Sequence, residues 1–299
     1  MLALFQQEFI QNAFLAGTIV ALVTAIVGYF VVLRAQAFAS ESISEIGFAG
    51  STGGPLLGVS SLVGMFILTI LSALGMGTLG ERVRGRDVET GMVLAFALGL
   101  GVLFTSLYAS GKNAVATVSA LFGSILSVSR GDVLTTLVSG LIVLFVLAFL
   151  FRPLLFASID PEVAQTRGVP IRLLSIVFLV LLAVTIAMAI QVVGALLVFA
   201  LLIVPAASAA RLTHRPLTTI GLSVVLGLAI TWIGLILTVV GTGRYLPASF
   251  YIAMLAIGTY FVTVILSRWY VPQRSRETTP SRSPQEQLER NNHYQEKAR

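Results

Sequence analysis

Apolar runs close to the length of a membrane crossing divide this chain almost from end to end. A helix needs about 20 mostly apolar residues to cross the hydrocarbon core of a bilayer. Runs near that length cover 13–33, 40–57, 58–79, 91–108, 133–151, 173–190, 192–212, 217–240 and 249–266. In lipid every backbone N–H and C=O must be satisfied within the protein, which leaves helices as the economical way to use such runs. Charged residues make up only 11% of the chain and hydrophobic ones 57%, whereas soluble domains carry roughly 25% charge. The expected fold is all-α: a polytopic helical membrane protein with about eight or nine transmembrane helices. A further apolar stretch at 115–128 is too short to span and reads as a re-entrant half-helix.

Charge placement gives the orientation. The net charge is +6, but the arginines sit mainly in short connectors between apolar runs, so no nucleic acid partner is expected. The segments ERVRGRD (81–87), FRP (151–153), RGVPIR (167–172) and RLTHRP (211–216) fall on one side when the spans alternate, together with Arg34 and the tail. Lys112, Arg130 and Arg244 fall on the other. The positive-inside rule puts the arginine-rich side in the cytoplasm, the N-terminus outside and the C-terminus inside. The N-terminal MLALFQQEFIQNA lacks the basic region and cleavage site of a secretory signal, so the first span is expected to drive insertion. Residues 271–299 are polar, charged and contain Ser and Pro, the composition of a disordered cytoplasmic tail. Without cysteine, disulfides and thiolate metal sites are excluded.

The acids are more informative. Of thirteen Asp and Glu residues, Glu41 and Glu45 alone are candidates for a place inside the spans, with Asp132, Asp160 and Glu162 among those assigned to connectors. Residues at i and i+4 share one helix face, and two carboxylates so placed repel unless a cation lies between them or one is protonated. Either both acids are hydrated at the cytoplasmic end of the second span, near Arg34, or they form a cation-handling pair lining a pathway. Carboxylate oxygens suit hard or borderline divalent cations such as Mn²⁺. The glycines that follow, at 47, 50, 53 and 54, fit either a helix break on a pathway or close packing between helices. His214 and His293 fall in a basic connector and the tail, away from any metal site.

The connector SIDPEVAQTRGVPIR (158–172) has the marks of a short helix: Asp160 as N-cap, Pro161 in the first turn, Glu162 at the favourable end, and Gly168 after the last turn. It is either a plain connection or a docking element for a cytoplasmic partner. No phosphate-binding G-x-x-x-x-G-K-[ST] loop occurs, so ATP hydrolysis is not expected on this chain.

Three stretches resemble the permease subunits of ATP-binding-cassette importers for manganese, zinc and iron: VVLRAQAFASESISEIGFAG, ALFGSILSVSRGDV, and DPEVAQTRGVPIR with QVVGALLVFALLIVPAASAARLT. The likeness covers about residues 10–268. It implies a transmembrane permease domain over 1–270, in the plasma membrane of a prokaryote. It also implies a second permease copy (a homodimer), a cytoplasmic ATP-binding subunit, and an extracellular metal-binding solute-binding protein. A divalent metal (Mn²⁺, Zn²⁺ or Fe²⁺) would be the transported substrate, with no permanently bound cofactor. The coupling helix of that family corresponds to 160–168, with Asp160, Pro161, Glu162, Ala164 and Gly168 facing the ATPase. Relatives usually carry Asp and His as a metal pair where this chain has Glu41 and Glu45; loss of the imidazole leans the site toward Mn²⁺. Two other readings remain at this level: the same architecture with a non-metal cargo, and a secondary transporter driven by an ion gradient.

Overall fold

The computed structural model describes residues 7–79, 86–109, 123, 125–213, 215–240 and 247–270. Ten α-helices occupy them: α1 (Glu8–Leu33), α2 (Ala37–Leu56), α3 (Ser61–Leu79), α4 (Arg86–Ala109), α5 (Arg130–Ile159), α6 (Pro161–Thr166), α7 (Ile171–Val193), α8 (Ala195–Leu212), α9 (Pro216–Val240) and α10 (Ala248–Tyr270). A 3-10 turn, Ile125–Ser127, precedes α5. The expected half-helix at 115–128 lies outside the described residues except at Gly123 and 125–128, and so does the tail at 271–299.

Seven of these helices are long and apolar enough to cross a membrane: α1, α3, α5, α7, α8, α9 and α10. Two further expected spans are also helices, α2 and α4, at 20 and 24 residues. With a rise of about 1.5 Å per residue, α2 is roughly 30 Å long. Its sequence, AFASESISEIGFAGSTGGPL, is too polar to qualify as a lipid-facing span, and its position explains why. Every residue from Ser42 to Gly54 is buried, enclosed by α3 and α4, with α7 and α8 also in contact. By contrast Phe145 and Phe149 of α5 are 77% and 84% exposed. Helices α5 and α10 thus present most of their apolar surface outward, where lipid would lie, while the polar α2 is shielded by protein.

Small residues set the close crossings. A methyl on Gly28 of α1 would land on the Leu202 carbonyl oxygen of α8. On α2 a Cβ at Gly50 would stand 2.6 Å from the Gly64 oxygen of α3, and one at Gly54 would stand 3.0 Å from the Ser60 oxygen. The α2 helix runs unbroken through all four glycines to Leu56; Gly50 and Gly54 serve backbone approach to α3 and Gly47 and Gly53 make room for Ile190 and Phe104, so they pack helices together and do not break the helix.

Three expectations about connectors are corrected. The FRP segment, expected as a loop at 151–153, lies inside α5, which continues to Ile159. A proline within a helix removes one hydrogen bond and crowds the preceding turn. Here the continuation is held by packing, since Leu154 and Ala157 are buried. Asp132 is not in a loop either: it sits in the first turn of α5 in a reciprocal capping box with Ser129. Finally, the gap expected at Gln191 is absent, because α7 runs through it to Val193. The break falls at Gly194, whose φ of 86° and ψ of 158° belong to a region that only glycine occupies readily. Helix α8 starts at the very next residue.

Candidate functional site

Glu41 and Glu45 lie on α2 four residues apart, about 6 Å along the axis, so both carboxylates leave the same face. Counted from Ala37, Glu45 is two turns into the helix, roughly 12 Å from its start. It is 9% exposed. Glu41 is half-buried, and its Oε2 is enclosed without a hydrogen-bond partner. The hydrated helix end left open by the sequence therefore does not describe Glu45.

Ser44 Oγ donates to the Ala195 carbonyl at 3.0 Å, which ties this turn of α2 to the first residue after the Gly194 break. Gly123 closes on the same break from the other side: a Cβ there would stand 2.7 Å from Gly194 N and would strike the Val193 carbonyl. The turn of α2 between Glu41 and Glu45 thus packs against the junction of α7 and α8. Among the described residues no group of three or more His, Cys, Asp or Glu comes together to hold a metal ion. This face of α2 carries two carboxylates among the buried hydroxyls of Ser40, Ser42 and Ser44.

A second polar cluster marks the opposite end of the bundle from Arg34. Asp132 Oδ2 accepts from the Ser129 N and Oγ at 3.0 and 2.7 Å, and Oδ1 accepts from Gln191 Nε2 at 2.7 Å. Arg130 pairs with Glu8 at 2.6 Å, but both side chains are largely exposed, so the pair contributes little stability. The S-x-x-D pattern is the local signal of such a cap. Its link to Gln191, 59 positions away, has none.

The connector at 160–168 folds as its residues dictate. Asp160 Oδ1 accepts from Val163 N at 3.0 Å, Pro161 occupies the first helical position, and Ala164 is fully buried while Glu162 points outward. Gly168 has φ +80°, and Val169 N returns to the Ala164 carbonyl at 3.1 Å, closing the helix. So α6 is a one-and-a-half-turn knuckle between α5 and α7, with its acidic first turn free.

Comparison with known proteins identifies the family. A model of the ABC 3 transport family matches residues 6–267. The chain belongs to that family. The manganese transport system membrane protein MntC of Halalkalibacterium halodurans is 31% identical over 284 residues, covering 92% of this chain and 95% of the relative. The zinc uptake membrane protein ZnuB of Haemophilus influenzae is 31% identical, covering 77% and 88%. The structure of PsaBC from Streptococcus pneumoniae in complex with Fab superposes with a TM-score of 0.77 at 26% identity, covering 88% of this chain and 95% of that one. This ABC 3 family member is therefore a multi-pass permease subunit of an ATP-binding-cassette transporter, and ATP is hydrolysed on another chain. An ion-gradient-driven carrier is set aside by this membership.

Proposed function

We propose that this permease imports a divalent metal cation, Mn²⁺ foremost and Zn²⁺ or Fe²⁺ as competitors, and that Glu41 and Glu45 meet the cargo in transit. The observation that carries the reading is the buried pair itself: two acids one turn apart on the enclosed, polar helix α2, with Glu41 Oε2 lacking a partner. Relatives named for manganese and zinc transport support the cargo class. An all-oxygen pair binds hard divalent cations without the nitrogen ligation that favours the later metals, and the geometry suits brief contact better than retention. In this reading the 160–168 segment docks on a cytoplasmic ATP-binding subunit through Asp160, Pro161, Glu162 and Gly168, whereas Ala164, expected on that face, is buried and anchors α6 to the bundle instead. A second copy of the chain completes the pathway, a solute-binding protein delivers the metal from outside, and the C-terminus is cytoplasmic in the plasma membrane of a prokaryote.

The test uses the complex reconstituted in proteoliposomes. The double substitution Glu41→Gln and Glu45→Gln should abolish ATP-driven Mn²⁺ uptake while the ATPase subunit still co-purifies. Undiminished uptake would remove the acids from the pathway. Competition by Zn²⁺ and Fe²⁺ ranks the cargo, and failure of all three metals to move in the unsubstituted complex would point to a non-metal substrate.

A further inference from the structure

The turn between α1 and α2, residues 34–36, is the covalent route by which the arginine-bearing end of the bundle reaches the helix with the two acids. Arg34 closes α1 and reaches across to α7. Its Nη2 donates to Ser175 Oγ at 2.6 Å, and its guanidinium carbon lies 5.3 Å from the centre of the Phe178 ring. One contact is directional and the other is a face contact between cation and ring, and both are made to the start of α7.

One turn earlier Phe30, fully buried, meets Phe151 of α5 edge-on at 5.7 Å and Phe178 at 6.3 Å. The ends of α1, α5 and α7 are thereby one aromatic block, and α6 with its docking residues is strung between two of its members. On the far side of the turn there is little slack. Ala35 is left-handed at φ 52°, Gln36 N donates to the Val31 carbonyl at 2.9 Å, and Ser40 N donates to the Gln36 carbonyl at 3.0 Å. Gln36 itself is only 7% exposed. Beyond it α2 packs chiefly on α3 and α4, with a smaller direct contact on α7.

We propose that Arg34 is a positioning residue for transport: its clasp on Ser175 and Phe178 carries displacement of the 160–168 segment, through the start of α7, into α2 and the Glu41/Glu45 pair. The proposal rests on the permease reading above. Helices move nearly as rods while linkers absorb motion, so a clasp at the linker stiffens the transmission from the α5–α7 block to α2 that their direct packing begins. Releasing the arginine leaves the bundle folded but loosens that transmission.

The chain has no cysteine, which allows a single reporter. Phe38, on the first turn of α2 and 68% exposed, is replaced (Phe38→Cys), and its maleimide alkylation is timed in the complex with its ATPase, with and without ATP plus vanadate. With Arg34 present, nucleotide should change the alkylation rate. Arg34→Ala should shrink that change roughly tenfold, the equilibrium shift expected on losing a hydrogen bond to a charged group. Mn²⁺ moved per ATP hydrolysed should fall in parallel. Arg34→Lys keeps a cation and a donor and should restore part of both responses. Ser175→Ala removes the same contact from the other side and serves if Arg34→Ala does not assemble. A nucleotide response absent from the parent, or intact in both Arg34→Ala and Ser175→Ala, overturns the proposal, as does a fall in thermal stability with the response preserved. A parent complex that responds to nucleotide but moves no Mn²⁺ would sink the cargo assignment and leave the clasp standing.

Discussion

Replacing Gly50 with alanine should test how tightly the acid-bearing helix is held against α3. The added Cβ would stand 2.6 Å from the Gly64 oxygen and 2.9 Å from both the Gly64 carbonyl carbon and the Met65 Cα, all backbone atoms that no rotamer change can move. To reach ordinary contact at 3.4 Å from 2.6 Å, the two backbones must part by about 0.8 Å. Overpacking of this kind costs about 1–3 kcal/mol, offset by up to about 1 kcal/mol of helix propensity gained over glycine. A net loss of up to about 2 kcal/mol follows. Gly54→Ala meets milder contacts, 3.0 Å to the Ser60 oxygen and 3.3 Å to the Gly64 Cα, and should lose less. Gly221→Ala on α9 meets nothing within 4 Å and should retain only the propensity gain. Reversible unfolding in mixed SDS and detergent micelles would rank the three. Equal stabilities, or Gly50→Ala matching Gly221→Ala, would refute the account of α2 as a helix docked through bare backbone.

Other expected outcomes come from the caps and turns. Ala35→Gly should stabilise the protein by about 1 kcal/mol in the same unfolding assay, because a left-handed alanine carries a steric cost that glycine does not. Asp160→Ala should remove the cap on Val163 N, costing α6 about 1 kcal/mol; cross-linking from position 162 to the ATPase subunit should weaken, and unchanged cross-linking would argue against docking through α6. Asp132→Ala removes the capping box and leaves Gln191 without its acceptor, so a loss of about 1–3 kcal/mol is expected in the unfolding assay. Asp132→Asn, which keeps an acceptor oxygen, should recover part of that.

Much of the local structure was legible from neighbouring residues. Helix α6 announces its start through Asp160-Pro161, because caps satisfy orphaned backbone groups within three or four positions, whereas Asp132, expected in a connector, proves to cap the start of α5. The end of α6 at Gly168 was legible for the same reason. The continuation of α5 through Pro153 was not: local chemistry argues for a stop there, and burial of Leu154 and Ala157 overrides it. Nor did Gly194 stand out in VVGALLV, since an apolar run looks alike whether it continues or folds back.

The candidate site divides in the same way. The sequence alone determined that the chain crosses a membrane as helices, that two acids share one face of the second span, and that a capped knuckle lies between the fifth and seventh helices. These follow from composition and from spacings of a few residues, which covalent geometry turns directly into direction. Tertiary structure decided what those acids face. A helix with serines, glycines and two glutamates is unfit for contact with lipid, and burial by α3 and α4 is what makes it tenable. The same enclosure brought Ser44 to Ala195 and Arg34 to Ser175, contacts spanning 151 and 141 positions. Such pairs carry no local signal, because the energy that forms them comes from packing the whole bundle.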